Sequence, residues 1–136
     1  FDDRGEIVHC NSFNFKKNNI KRFYQISNHK VNFVRAWHAH KFEKKFILIL
    51  TGALKINTIK IDNWKKPSKK LKKKSFILNE KNPKILSIPG GYAHGTQNLT
   101  SNTKFIVFSN FDINQSIKDD YRFDSNYWGR WNIKNR

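Results

Sequence analysis

The chain is poor in the features that mark stapled or membrane-spanning proteins. Among its 136 residues there is a single cysteine, Cys10. No internal disulfide can form, so the fold does not depend on an oxidising compartment and a cytoplasmic location is expected. No apolar run approaches the roughly 20 residues that span a bilayer; the segment FILIL, Phe46 to Leu50, is one strand long. The start of the chain shows no basic region followed by an apolar stretch and a cleavage site, so no secretion signal is expected. Helical periodicity is missing too. No stretch keeps i, i+3, i+4, i+7 apolar spacing beyond about two turns, so any helix is short. Acidic residues are scarce: 10 Asp and Glu stand against 27 Lys and Arg, a formal net charge of +17.

That charge admits three meanings: nucleic-acid binding, attraction of an anionic small substrate, or a compositional habit. Much of it sits in KKPSKKLKKK, Lys65 to Lys74, broken by Pro67 and Ser68. Such a run is expected as a solvated loop between strands. No helix-turn-helix, zinc-finger or RNA-binding signature accompanies it, so nucleic acid is not an expected partner.

Aromatic residues, in contrast, make up 15% of the chain and hydrophobic residues 38%. Disordered chains are poor in aromatics, so a folded globule built around rings is expected. The length suits one domain, 1–136, with no repeat or linker to divide it. Short apolar segments recur about every 8–12 residues between Asn, Gly, Asp, Ser and Lys clusters, the pattern of an all-β sandwich or barrel. The expected strands are Glu6 to His9, Lys21 to Ile26, Asn32 to Ala39, Lys45 to Leu50, Ala53 to Ile61, Ser75 to Leu78, Lys84 to Ile88 and Thr103 to Phe108. Gly52 marks a tight turn. The aromatic-rich tail, 117–136, carries Trp128 and Trp131 and is expected to pack across the sandwich or onto a partner subunit.

Two of the five histidines form His38-Ala39-His40. On an extended strand this spacing directs both imidazoles to one face. Downstream, Pro89-Gly90-Gly91-Tyr92-Ala93-His94 with Asn98 matches the second cupin motif, PxGxxHxxxN. Its Pro and Gly residues supply the turn that would bring His94 back toward the first pair. Three imidazoles converging in one small barrel would be costly without a use, whereas His9 and His29 are read as structural. A metal could take His38, His40 and His94 as ligands. Metal-binding cupins usually add a Glu four or five residues after the HxH; here those positions are Lys44 and Lys45, and Glu43 comes early. A cation there repels a divalent ion and attracts phosphate, so no metal is expected.

The segments DDRGEIV (Asp2 to Val8), IKRFYQI (Ile20 to Ile26), VRAWHAHK (Val34 to Lys41), KKSFIL (Lys73 to Leu78) and SIPGGYAHG (Ser87 to Gly95) resemble cupins that isomerise nucleotide-linked 4-keto sugars. The N-terminal half is most similar to the WxcM-like sugar 3,4-ketoisomerases, and the region around His94 to the dTDP-4-dehydrorhamnose 3,5-epimerases. The resemblance implies an RmlC-like jelly roll, a site for a nucleotide-diphosphate sugar substrate, a homodimer and no cofactor. It implies that His38 and His40 are catalytic, with Tyr24 assisting. Arg4 and Arg35 match arginines that contact the nucleotide and diphosphate, Arg22 and Tyr24 a substrate-lining pair, and Lys45 an epimerase lysine near the substrate. Tyr92 and His94 are assigned to the substrate site with them. The proton-donating tyrosine of the epimerases falls at Val107, which cannot donate. The expected reaction is therefore 3,4-ketoisomerisation of a nucleotide-linked, expectedly dTDP-linked, 4-keto-6-deoxy sugar. Epimerisation at C3 or C5 is the alternative, and a non-catalytic sugar-nucleotide-binding cupin is a third.

Overall fold

The computed structural model describes residues 3–131. Asp2 of the first motif and residues 132–136 of the tail lie outside the described residues. Among the described residues nine strands and one short helix follow in the order β1 (Arg22–Asn28), β2 (Val34–His40), β3 (Lys45–Thr51), β4 (Ala53–Lys60), β5 (Lys74–Asn79), β6 (Ile85–Ile88), β7 (Tyr92–Asn98), β8 (Thr103–Ser109), α1 (Ile113–Ile117) and β9 (Tyr121–Arg122).

The strands form two antiparallel sheets, β1-β8-β3-β6 and β5-β4-β7-β2-β9, whose order crosses repeatedly between sequence neighbours. This is the jelly-roll sandwich of the RmlC-like cupins. Their facing sides enclose a core of Ile47, Ile49, Leu54, Ile56, Leu78, Ile88, Phe105 and Val107. The period of two decides which side chains reach it: on β3 Ile47 and Ile49 point inward while Leu48 points out.

A second apolar cluster covers the far side of the five-stranded sheet. Trp37 and Ala39 of β2, Ile59 and Ile61, and Ala93 of β7 meet Trp128, with Phe123, Tyr127 and Trp131 packed around them. The tail thus folds back on its own sheet. Trp37 and Phe123 exchange backbone hydrogen bonds of 3.0 and 3.1 Å, and Trp128 stands edge-on to Trp37 at 5.1 Å between centroids.

The lysine-rich segment is a loop joining β4 to β5. It is anchored by the tail, since Tyr127 Oη donates to the Pro67 carbonyl at 2.6 Å and Trp128 Nε1 to that of Ser68 at 2.9 Å.

Two expectations fail. Glu6 to His9 is not a strand: Ile7 and Val8 are 88% and 56% exposed, and a β-branched pair without a neighbouring strand to bond gives no ladder. Tyr92–Asn98, absent from the expected strands, is the central strand of the larger sheet. Its Gly95, Gln97 and Asn98 mask a strand pattern. A Cβ at Gly95 would sit 2.7 Å from the Trp131 ring, so the small residue is what lets the tail close over this strand.

Candidate active site

Because β2 alternates, the side that turns Trp37 and Ala39 outward turns His38 and His40 inward. In the β2–β7 ladder His38 lies opposite His94. The His94 ring stands 6.0 Å from that of His38 and 5.7 Å from that of His40. The turn before β7 makes this possible. Gly91 holds φ at +91°, and Gly90 passes so close to the β2–β3 loop that a Cβ would sit 2.7 Å from the Lys41 carbonyl oxygen.

The three histidines line a cavity of about 370 Å³ between the sheets. Tyr24 and Ile26 of β1, Arg35, Lys45, Thr96, Phe105 and Val107 line it too, with α1 and β9 at its border. Lys45 is buried, and its Nζ donates to Tyr24 Oη at 3.0 Å. Arg35 Nε donates to Asn28 Oδ1 at 2.8 Å.

Burial and charge act on the imidazoles in one direction. His94 is held well below its ordinary pKa by burial, then by Lys45 and the two other rings. Burial lowers His38 as well, with Arg122 and Lys45 adding to it and Asp120 opposing. For His40 burial and Lys45 lower the pKa, against the Asp119 carbonyl and Glu43. At neutral pH the cluster is uncharged and can accept protons.

The tautomer of His40 follows from its partners. Nδ1 lies 2.7 Å from the Asp119 backbone oxygen, which can only accept, so Nδ1 carries the hydrogen. Nε2 is left as a buried acceptor with no hydrogen-bond partner among the described residues. The Asp119 carboxylate in turn takes the amides of Lys41, Phe42 and Glu43 at 2.8, 2.9 and 2.9 Å, fixing the loop after His40.

Three residues assigned to substrate by sequence do not line the cavity. Arg22 is drawn instead to the buried carboxylate of Glu43, 3.2 Å away, and to Ser116 Oγ at 2.7 Å. Tyr92 packs against the main core, and Arg4 lies in the exposed N-terminal segment. His9 and His29 also lie outside the cavity lining. Asn98 serves the fold, its Nδ2 donating to the carbonyls of Lys30 and Thr100.

Asp119, Asp120 and Arg122 were not singled out by sequence. Arg122 pairs with Asp120 at 3.3 Å and stands opposite His38 in the β2–β9 ladder. Only the return of the tail to β2 brings them there.

The donor set does not fit a divalent metal ion. Among the described residues no group of three His, Cys, Asp or Glu side chains is arranged to hold one. Lys45 is close enough to lower all three imidazoles, and Glu43 is committed to Arg22, Ser109 and Ser116.

A jelly roll with three imidazoles, a lysine and a tyrosine around an internal cavity defines a cupin. More narrowly, the chain belongs to the WxcM-like, C-terminal family, whose model matches residues 1–128. No curated protein matches the chain by sequence. Among solved structures it is similar to a 3,4-ketoisomerase from Helicobacter canadensis, at 26% identity over 93% of this chain and 86% of that one, with a TM-score of 0.69. The dTDP-4-dehydrorhamnose 3,5-epimerase of Bacillus anthracis shares the fold at 20% identity, covering 90% and 72% of the two chains with a TM-score of 0.70. The TDP-quinovose 3,4-ketoisomerase of Campylobacter jejuni does so at 22% identity, 93% and 88% coverage and a TM-score of 0.65. Among the described residues no helix is long and apolar enough to cross a membrane.

Proposed function

We propose that this chain is an isomerase of a nucleotide-linked, dTDP being the favoured nucleotide, 4-keto-6-deoxy sugar, and that it moves the carbonyl from C4 to C3. The observation that carries this is the neutral His38–His40–His94 cluster facing the Lys45–Tyr24 pair inside one cavity. His40, with Nε2 fixed as an acceptor, takes the proton from C3. The electron pair moves into a C3–C4 double bond and the C4 oxygen gains charge, which the Lys45 ammonium and Tyr24 hydroxyl offset. The C3 hydroxyl proton passes to the C4 oxygen and the proton held by the base returns to C4 on the same face, which gives the 3-keto, 4-hydroxy product. His38 shares that face and relays the proton.

Arg35 is the diphosphate partner in this scheme, its planar fork suited to phosphate oxygens. The net charge of +17 raises the local concentration of a dianionic substrate. The residues 1–136 act as one catalytic domain without metal or cofactor. A homodimer is part of the proposal, supported by the exposed apolar side chains Ile7, Val8 and Phe23. Lys45, shared with the epimerase pattern, favours epimerisation as a second reading. Against it stands Val107, whose apolar side chain lines the cavity and cannot donate a proton.

Incubation with a panel of nucleotide 4-keto sugars in heavy water, followed by NMR, tests this. Deuterium at C4 of a 3-keto product is expected. Label at C3 and C5 with the carbonyl still at C4 would replace isomerisation by epimerisation, and tight binding without exchange would leave a binding protein.

A further inference from the structure

The buried carboxylate of Glu43 has no place in the proton path, yet it sits beside the proposed base. Glu43 is 1% exposed, and a carboxylate so deep must be paired and hydrogen-bonded. Its Oε2 accepts from Arg22 Nη2 at 3.2 Å and from Ser109 Oγ. Its Oε1 accepts from Ser116 Oγ at 2.7 Å and stands 3.5 Å from His40 Nδ1. Satisfying Arg22 alone would not require this depth, since that side chain is 22% exposed and could reach water.

We infer that Glu43 is a positioning residue for His40: with the Asp119 carbonyl it keeps the ring hydrogen on Nδ1, and through Ser116 it clamps α1 beside the same ring. The 3.5 Å separation is too long for a full hydrogen bond, which the Asp119 oxygen already makes at 2.7 Å. Glu43 adds negative potential on the Nδ1 side. In low dielectric that charge favours the tautomer with its hydrogen toward the carboxylate, and steadies the imidazolium formed when Nε2 takes a proton. Ser116 makes the contact two-sided. It donates to Glu43 and accepts from Arg22, and its neighbours on α1, Ile113 and Ile117, line the cavity. One carboxylate therefore holds both the ring and the helix that borders the cavity.

That His40 is the base rests on the proposed function; that Glu43 helps the Asp119 carbonyl to hold its tautomer, directly and through Ser116, whose backbone oxygen takes the Asp119 amide, does not, so the deciding measurement needs no substrate. Long-range proton–nitrogen spectra of the full chain, with 15N-histidine, report which nitrogen of His40 carries hydrogen. In the parent protein the Nδ1–H form is expected. In Glu43→Gln, which keeps the size but removes the charge, a mixture of tautomers is expected. Should Glu43→Gln fail to fold, Glu43→Asp decides instead: it keeps a charge for Arg22 but draws it away from the ring, and the same mixing is expected. A pure Nδ1–H ring in whichever of these variants folds would overturn the inference. With a turned-over sugar in hand, kcat should fall by roughly 10–100-fold, as for the outer partners of other functional imidazoles, with KM little changed. If the parent protein exchanges no sugar proton, the proposed function fails and the tautomer measurement still stands.

Discussion

The Lys45 ammonium donates to the Tyr24 hydroxyl at 3.0 Å across the intervening strand β8, and lies 5.5 Å from the centre of the same ring. This places a fixed cation against three imidazoles, each of which it pushes toward the neutral form. Replacing it by Lys45→Met removes that repulsion, so the imidazole pKa values rise. The acid limb of kcat/KM against pH is expected to move to higher pH, and NMR titration of His38 to move with it. A limb that stays in place would separate Lys45 from the titrating groups.

Stability should carry the same signature. His94 is folded with a pKa well below its ordinary 6.5, because burial disfavours the charged ring. Below about pH 6.5 the unfolded chain takes up a proton that the folded chain refuses. The stabilisation is complete above that pH and is lost as pH falls toward the folded value, with His38 and His40 acting in the same sense. The urea midpoint is expected to be lower at about pH 5.5 than at about pH 7.5, before most carboxylates titrate. His94→Gln should flatten that slope.

The tail is held to the sheet by rings. Trp128 is buried, stands edge-on to Trp37 and donates to the Ser68 carbonyl. Trp128→Ala should cost about 3–5 kcal/mol, read by chemical denaturation. A loss below about 1 kcal/mol would mean that the tail collapses around the gap.

Gly90→Ala tests the approach of the two motif loops. The added Cβ meets backbone atoms of Lys41 and Phe42 at 2.7 and 3.0 Å, which cannot give way as a flexible side chain would. A loss of about 1–3 kcal/mol is expected, as for other overpacked sites. Activity should fall further than stability, because the displaced loop carries Glu43 and follows His40 directly.

Much of this arrangement was legible because a strand has a period of two. His38 and His40 share one face of β2, the face that lines the cavity, and the spacing alone puts them together. The PGGYAH segment announced a turn, and Gly91 takes the positive φ that only such a residue accepts cheaply. Polar strands were not legible. In β7 the pattern is hidden because one side is covered by Trp131 and the other lines a polar cavity, so neither shows apolar alternation. Glu6 to His9 misled in the opposite sense, its β-branched Ile7 and Val8 joining no ladder among the described residues. Glu43 was visible as an acid near the histidines, but its destination depends on Ser109 and Ser116, 66 and 73 residues away in sequence. Nothing local to KFEKK reports that. The partner of Arg22 was hidden for the same reason, since Glu43 lies 21 residues away.

The bond between His40 and Asp119 spans 79 residues. During synthesis from the N-terminus, the catalytic strand emerges long before the carbonyl that sets its tautomer. A nascent chain halted before residue 119 would hold all three histidines, yet His40 would be free to place its hydrogen on either nitrogen. Under the proposed function full competence therefore arrives late, and full activity in a growing chain would report that the tail has docked rather than that the barrel has formed.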